Sequence, residues 1–367
     1  MRPIERRPWA LGALALAIVG LAVAVAVVLP ERYIPQPGAT QQRAERAKPP
    51  ERRAARQTAG ASRVPSAFSP TSFWNASLRA AAPLDPRSRS LVDELRRQVK
   101  AHGPWINTTR YSTPVYTVPK RQPTVEVALD VPVRSLQAAL AAVPVPKDAV
   151  PAAGTDGHMV IRQPASDTMW EFFGMRKRAD GWHAKWGGRM DKVSANPGHF
   201  EEPHPDWGAT ATSLPLLGGL ITIEEARKGR IDHALAFALP QTRAGVHAWP
   251  AQRSDGVSRR PGAIPEGTRF RLDPELDVES LGLPALTRLM AEAAQRHGIV
   301  LRDQSGAVTF YGEDPTPTGQ DPWSEPGGLF GCKGKGCAGQ GAGDVLADFP
   351  WHRLQALASR RAPRADG

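Results

Sequence analysis

The longest unbroken apolar run opens the chain. Residues 9–29 carry no charge and no strongly polar side chain, and Arg2, Arg6 and Arg7 precede them. About 20 such residues cross the hydrocarbon core of a bilayer as one helix, and a basic leader predicts that the N-terminus stays in the cytoplasm. The rival reading is a cleaved signal peptide, whose apolar region is about 7–15 residues long. Ala24 and Ala26 supply an A-x-A pattern, but Leu29-Pro30-Glu31-Arg32 makes a poor cleavage site. The pattern predicts a cytoplasmic leader (1–8) and a single-pass signal-anchor (9–29) whose partner is the lipid bilayer. The rest of the chain is then extracytoplasmic. Residues 30–67 are rich in Pro, Ala, Arg and Gln with no apolar periodicity, and such a stretch cannot bury enough surface to offset its ordering entropy. They read as a disordered tether.

Periodicity returns beyond residue 68. Leu91, Leu95 and Val99 recur at fourfold spacing inside 84–102, a narrow helical stripe that Gly103-Pro104 ends. Short β-prone runs follow at 114–118, 124–129 and 158–162, with an Ala/Pro/Val-rich loop holding one short helix at 131–156. Over 169–191, Asp180-Gly181 is a hairpin turn signal. Strand positions around that turn pair so that their numbers sum to 361. One face then carries Glu171, Phe173, Met175, Trp182, Ala184, Trp186 and Met190, and the other Trp170, Phe172, His183, Lys185, Arg189 and Asp191. Residues 209–223 are largely apolar and predict burial. Thr222-Ile-Glu-Glu225 matches a capping box, opening a short helix that Gly229 closes. Residues 230–239 alternate, with His233 in the apolar row, and 268–272 is another strand. Pro284 opens a helix capped by Gly298, and 299–303 with 307–312 read as a hairpin.

Strands outnumber helices, and turns punctuate them. The expected fold is mainly β, a β-sandwich or jelly-roll-like body with two or three peripheral helices, preceded by one transmembrane helix. The expected organisation is an extracytoplasmic β-rich domain over 68–355 and a flexible basic tail over 356–367.

The chain has 367 residues with 34 Gly and 36 Pro, a loop-rich composition that suits this class. Its net charge of +11 is concentrated in the flanks. Residues 1–67 hold 11 basic and 4 acidic side chains, and residues 353–367 hold 4 and 1, leaving 32 basic against 31 acidic between them. A nucleic-acid binder needs its positive charge on the folded surface, so nucleic acid is not an expected partner. Cys332 and Cys337, the only cysteines, stand in a Gly-rich loop, and a close pair in an exported chain reads as a disulfide. No cofactor and no metal site is expected. His199 and His204 flank Glu201-Glu202-Pro203, a loop composition that is common without an ion.

No nucleophile elbow, zincin helix, Walker loop or dinucleotide fingerprint is present. The carboxylates are therefore the first candidates. Glu171, in an apolar strand row beside Trp186, is a candidate proton donor because desolvation raises a carboxyl pKa; the bland alternative is a Glu at the domain edge or paired with Arg. Asp191 is the second carboxylate and His233 a supporting base, though a lone His in an apolar row is more often a hydrogen-bonded core residue. Arg189 is a candidate grip for a planar carboxylate, with Trp170, Trp186 and Trp249 as sugar-stacking partners. The alternative for Arg189 and Asp191 is an ordinary ion pair on a solvated face. Glu171 and Asp191 fall on opposite faces of the predicted hairpin, which counts against them as a working pair.

Ser72-Phe-Trp-Asn75, Tyr111-Ser-Thr-Pro-Val-Tyr116, Trp186-Gly-Gly-Arg189, Leu214-Pro-Leu-Leu-Gly-Gly-Leu220, Ile231-Asp-His-Ala-Leu235, Pro265-Glu-Gly-Thr-Arg-Phe-Arg-Leu272 and Arg302-Asp-Gln-Ser-Gly306 occur together. On these segments residues 70–355 resemble an uncharacterised family of exported, membrane-anchored actinobacterial proteins. The resemblance implies an extracytoplasmic setting and one domain, and it carries over no catalytic residue. The expectation is a membrane-anchored domain that binds or cleaves polysaccharide, as a glycoside hydrolase or polysaccharide lyase. The alternative is a non-enzymatic envelope protein that binds wall polymer or a protein partner.

Overall fold

The computed structural model describes residues 67–325, 327–331 and 341–359. The anchor, the tether up to residue 66, Cys332, Cys337 and most of the basic tail lie outside the described residues. Among those described, no helix is long and apolar enough to cross a membrane.

The strands, in chain order, are β1 (Pro104–Asn107), β2 (Val115–Thr117), β3 (Val127–Leu129), β4 (Met159–Gln163), β5 (Thr168–Phe173), β6 (Arg176–Arg178), β7 (Gly181–Ala184), β8 (Trp186–Asp191), β9 (Leu235–Leu239), β10 (Thr242–His247), β11 (Ile264–Glu266), β12 (Arg269–Leu272), β13 (Ile299–Gln304), β14 (Val308–Tyr311) and β15 (Leu354–Ala356). The helices are α1 (Ser88–His102), α2 (Arg134–Ala139), α3 (Ile223–Lys228) and α4 (Ala285–Arg296). The body is mainly β. One six-stranded sheet runs β1-β14-β9-β13-β12-β15, a four-stranded sheet runs β2-β4-β5-β8, and smaller sheets join β3-β7-β6 and β10-β11.

The alternation over 231–239 explains the layering. Leu235, Phe237 and Leu239 enter one core with α1 and α4 residues such as Leu95 and Met290. Ala234, Ala236 and Ala238 enter a second core with Met159, Ile161, Met169 and Phe172 of the four-stranded sheet. The six-stranded sheet is thus covered by helices on one face and by a second β layer on the other, and β9 is buried throughout. A strand covered on both faces reads as a continuous apolar run. The jelly-roll expectation implies antiparallel neighbours, whereas β1–β14, β2–β4, β3–β7, β9–β13 and β10–β11 are parallel.

Several local expectations match. Thr222 and Glu225 form the capping box, and Gly229 ends α3 in the left-handed region. α1 starts four residues later than expected, after Pro86, because Leu84 is extended and bridges Leu357. α4 begins after Pro284 as expected.

Two pairings differ. The expected hairpin of 299–303 with 307–312 is opened: β13 and β14 both pair with β9, which sits between them. β9 is apolar on both faces and takes the centre of the sheet, so its two edges claim both partners. The turn around residue 180 also shifts. Arg178 opposes Gly181 and Trp170 opposes Arg189, so pairs sum to 359. A two-residue shift preserves side-chain parity, so the predicted face sets survive. The expected solvated face does not: Trp170 and Phe172 are buried in the second core. The long hairpin also divides at Gly174, whose φ is +66°. A side chain there would strike Lys185. Its distal part joins β3 as a separate sheet.

Candidate active site

The structure separates the residues singled out from sequence. Glu171 is wholly buried on β5, and both its oxygens are occupied. The Ala209 N–H donates to Oε1 at 2.7 Å and the Leu216 N–H to Oε2 at 2.8 Å. Burial pushes its pKa up to about 7 against those two donors. The carboxyl clamps the 209–216 segment, and Arg302 lies across the same segment. The Arg302 Nη1 donates to the carbonyls of Leu216 and Gly218, both at 2.9 Å, and its guanidinium lies 4.2 Å from the Tyr311 ring centre. Glu171 is therefore a buried fastening, each of its oxygens holding a backbone N–H.

Arg189 and Asp191 are exposed and pair with each other at 3.0 Å, while Arg189 lies over the buried Trp170 ring at 5.7 Å. Asp191 also accepts from Thr168 Oγ1 at 3.0 Å. Asp191 opposes Thr168 on the β5 face that carries Trp170, away from Glu171. His233 is buried. Its Nε2 meets Glu225 Oε2 at 3.1 Å and its Nδ1 meets the Ala234 carbonyl at 2.8 Å. Although burial favours the neutral ring, the Glu225 carboxylate beside it raises the His233 pKa, and Glu225 itself is held below the usual carboxylate range. Both ring nitrogens of His233 are taken up by acceptors inside the protein, an arrangement that favours the protonated ring. Trp249 packs edge-on against Phe73 at 5.3 Å, and Trp186 lies under Arg253 at 5.8 Å. His204 stacks on Trp207 and His199 turns to the Phe200 carbonyl. These residues do not converge on one place.

A different set does. One carboxylate oxygen from each of Asp255, Glu266 and Asp303 lies within 4.8 Å of the others. The elements that assemble them are separate in sequence. Glu266 ends β11, and the next residue anchors it to the main sheet, because the Gly267 N–H donates to the Leu301 carbonyl at 2.7 Å. Asp303 lies on β13 at a bulge: Leu301 opposes Phe237, but Asp303 opposes Ala238. A bulge inserts one residue and re-aims the side chains that follow. Asp255 is held by Gln304, whose Nε2 donates to the Asp255 carbonyl and Oδ1, both at 2.9 Å. The Asp255 N–H reaches Glu266 Oε2 at 3.3 Å.

The electrostatics follow from crowding. Glu266 is wholly buried, and its Oε1 has no hydrogen-bond partner among the described residues. Desolvation, then Asp255 beside it, pushes its pKa up to about 9. Desolvation, again reinforced by Asp255, pushes Asp303 up to about 7. Like charges this close cannot all be ionised, so at neutral pH Glu266 carries a proton. Asp255, the exposed member, opens the cluster to solvent. A span of 4.8 Å between oxygens is also what a calcium ion's shell, at about 2.3–2.6 Å per ligand, accommodates. A proton or a divalent cation can therefore neutralise the cluster, and the two compete for the same oxygens.

Glu266 and Asp303 are 37 residues apart in the chain. Their convergence depends on a bulge and a β11–β13 crossing that no local pattern announces. No family model matches this chain, no curated protein matches it, and no solved structure matches it.

Proposed function

We propose that this chain is a membrane-anchored, extracytoplasmic protein that cleaves polysaccharide, with Glu266 as the proton donor. The observation that carries the reading is the convergence of three carboxyl groups, one of them buried, with one oxygen left without a hydrogen-bond partner and its pKa pushed up to about 9. An acid of raised pKa can deliver its proton to the bridging oxygen of a glycosidic bond as that bond breaks. The neighbouring carboxylates Asp303 and Asp255 then face the positive charge that develops on the sugar. Oxygens that all lie within 4.8 Å of one another are closer than the roughly 6.5–9.5 Å of inverting glycosidases, which leaves the retaining arrangement as the better fit. Arg253, which lies over Trp186, is the cation whose charge couples to Asp303 and Asp255 of the cluster. The apolar run 9–29 and its basic leader support the anchored, exported setting, as does the resemblance to exported actinobacterial proteins.

The test is release of new reducing ends from polysaccharide panels by the full-length chain in detergent. Glu266→Gln is expected to lower turnover by about 10²–10⁴-fold, the usual worth of a positioned acid, while polymer binding persists. Polymer binding with no turnover, indifferent to Glu266→Gln, would replace the enzyme with a non-enzymatic envelope protein that binds wall polymer. Tight calcium binding by calorimetry that Glu266→Gln abolishes would remove the proton-donor role. A reporter enzyme fused after Gly367 and active only in the cytosol would overturn the location.

A further inference from the structure

A second feature lies against the carboxyl cluster. Arg243, Ala244 and Gly245 of β10 and Ser258, Arg259 and Arg260 of the following loop line an open groove of about 410 Å³. Its walls are made by a short parallel pairing: the Ala244 N–H donates to the Ser258 carbonyl and the Ser258 N–H to the Thr242 carbonyl, both at 2.9 Å. Three arginines line this groove, and among the described residues none of them forms an ion pair. Arg259 and Arg260 are exposed and Arg243 is half-buried, its Nη1 donating only a long 3.4 Å bond to the Pro261 carbonyl. Arg260 acts at a distance on Glu94, which is gripped by Arg97 through bonds of 2.7 and 2.6 Å. Unpaired arginines brought together repel one another, and an anion placed among them relieves that repulsion.

The groove is joined to the cluster by contact. Gly256, next to Asp255, presses so close to β10 that a Cβ there would lie 2.1 Å from the Arg243 carbonyl oxygen and 2.9 Å from Thr242 Oγ1. Asp255 and Ser258 are three residues apart, so they lie within about 11 Å of each other even if fully extended. At the far end of β10, His247 stands opposite Glu266. β10 thus has the cationic groove beside its start and, across from its end on β11, the acid, so a polymer long enough to run along β10 reaches both.

On the reading of the carboxyl cluster given above, we propose that this groove is a substrate subsite for an anionic substituent, a uronate carboxylate or a phosphate, and that the polymer is an acidic glycan. The guanidinium fork offers paired N–H donors that match either oxyanion, and exposure at the groove mouth lets a polymer enter sideways. The +1 balance of residues 68–352 makes three clustered arginines a local departure, not part of a general basic surface.

The experiment measures binding of three probes to the full-length chain in detergent: a polyuronate oligomer, a phosphodiester-linked glycopolymer and a neutral glucan of equal length. It is run in the Glu266→Gln background so that cleavage does not enter. The expected result is that at least one anionic probe binds tenfold or more tightly than the glucan. That binding is expected to fall at least tenfold in Arg259→Glu/Arg260→Glu and to weaken as salt rises. The tighter of the two anionic probes identifies the source of the oxyanion. Equal binding of the neutral glucan, or anionic binding untouched by the double reversal, would overturn the proposal. Because both charges are exposed, loss of folding is checked by unchanged thermal melting, with Arg259→Gln/Arg260→Gln as a milder second variant. Binding is read without turnover, so a chain that cleaves nothing can still pass this test, and a chain that cleaves only neutral glycan fails it alone.

Discussion

At the scale of single residues, the carboxyl groups sort by what occupies their oxygens. Glu171 and Glu266 are both fully buried, but Glu171 receives a backbone N–H on each oxygen and Glu266 keeps one oxygen without a partner. The first is tied at both oxygens and the second at one. Glu171→Gln presents an amide NH₂ to a backbone N–H that donates, so one buried donor loses its acceptor, a loss of about 1–3 kcal/mol. Denaturant unfolding is expected to show that destabilisation, and unchanged stability would mean the clamp is dispensable. From sequence, Glu171 stood out because it sat in an apolar row. That burial was legible, but which atoms would satisfy it was not, because Ala209 and Leu216 lie 38 and 45 residues away.

At the scale of elements, the site depends on two irregularities. The bulge in β13 turns Asp303 toward Glu266, and Gly256 brings the 252–261 loop flat against β10. Gly256→Ala places a methyl against the Arg243 carbonyl, and backbone must move to admit it. The expected outcome is destabilisation of about 1–3 kcal/mol, the usual range for overpacking, together with loss of both polymer cleavage and anionic binding. Activity and binding equal to wild type would show that groove and cluster are not coupled through this contact. The capping box of α3 and the start of α4 were readable because caps are local chemistry. The β13–β14 hairpin was misread because the choice of partner for β9 is made by the sheet as a whole.

At the scale of the whole molecule, the buried carboxyls make stability depend on pH. Glu266, Asp303 and Glu171 have folded pKa values raised to about 9, 7 and 7, above the ordinary carboxylate value near 4. A group raised on folding contributes stability that is fully present below its unfolded pKa and lost as pH climbs through its folded pKa. His233, also raised, adds to the loss on the alkaline side. Melting temperature is therefore expected to fall between about pH 5 and 9, with a shallower slope in Glu266→Gln; a flat profile would contradict the crowding of the cluster. What the amino-acid sequence determined alone was whatever depends on near neighbours: alternating rows, caps, a β-rich class and the concentration of the net positive charge in the flanks. What the tertiary structure decided was the order of strands, the parallel pairings, and which carboxyls meet. The physical reason is that periodicity encodes which face of an element is buried, whereas a site is made by side chains from strands distant in sequence, whose approach is fixed by packing both cores against one shared sheet.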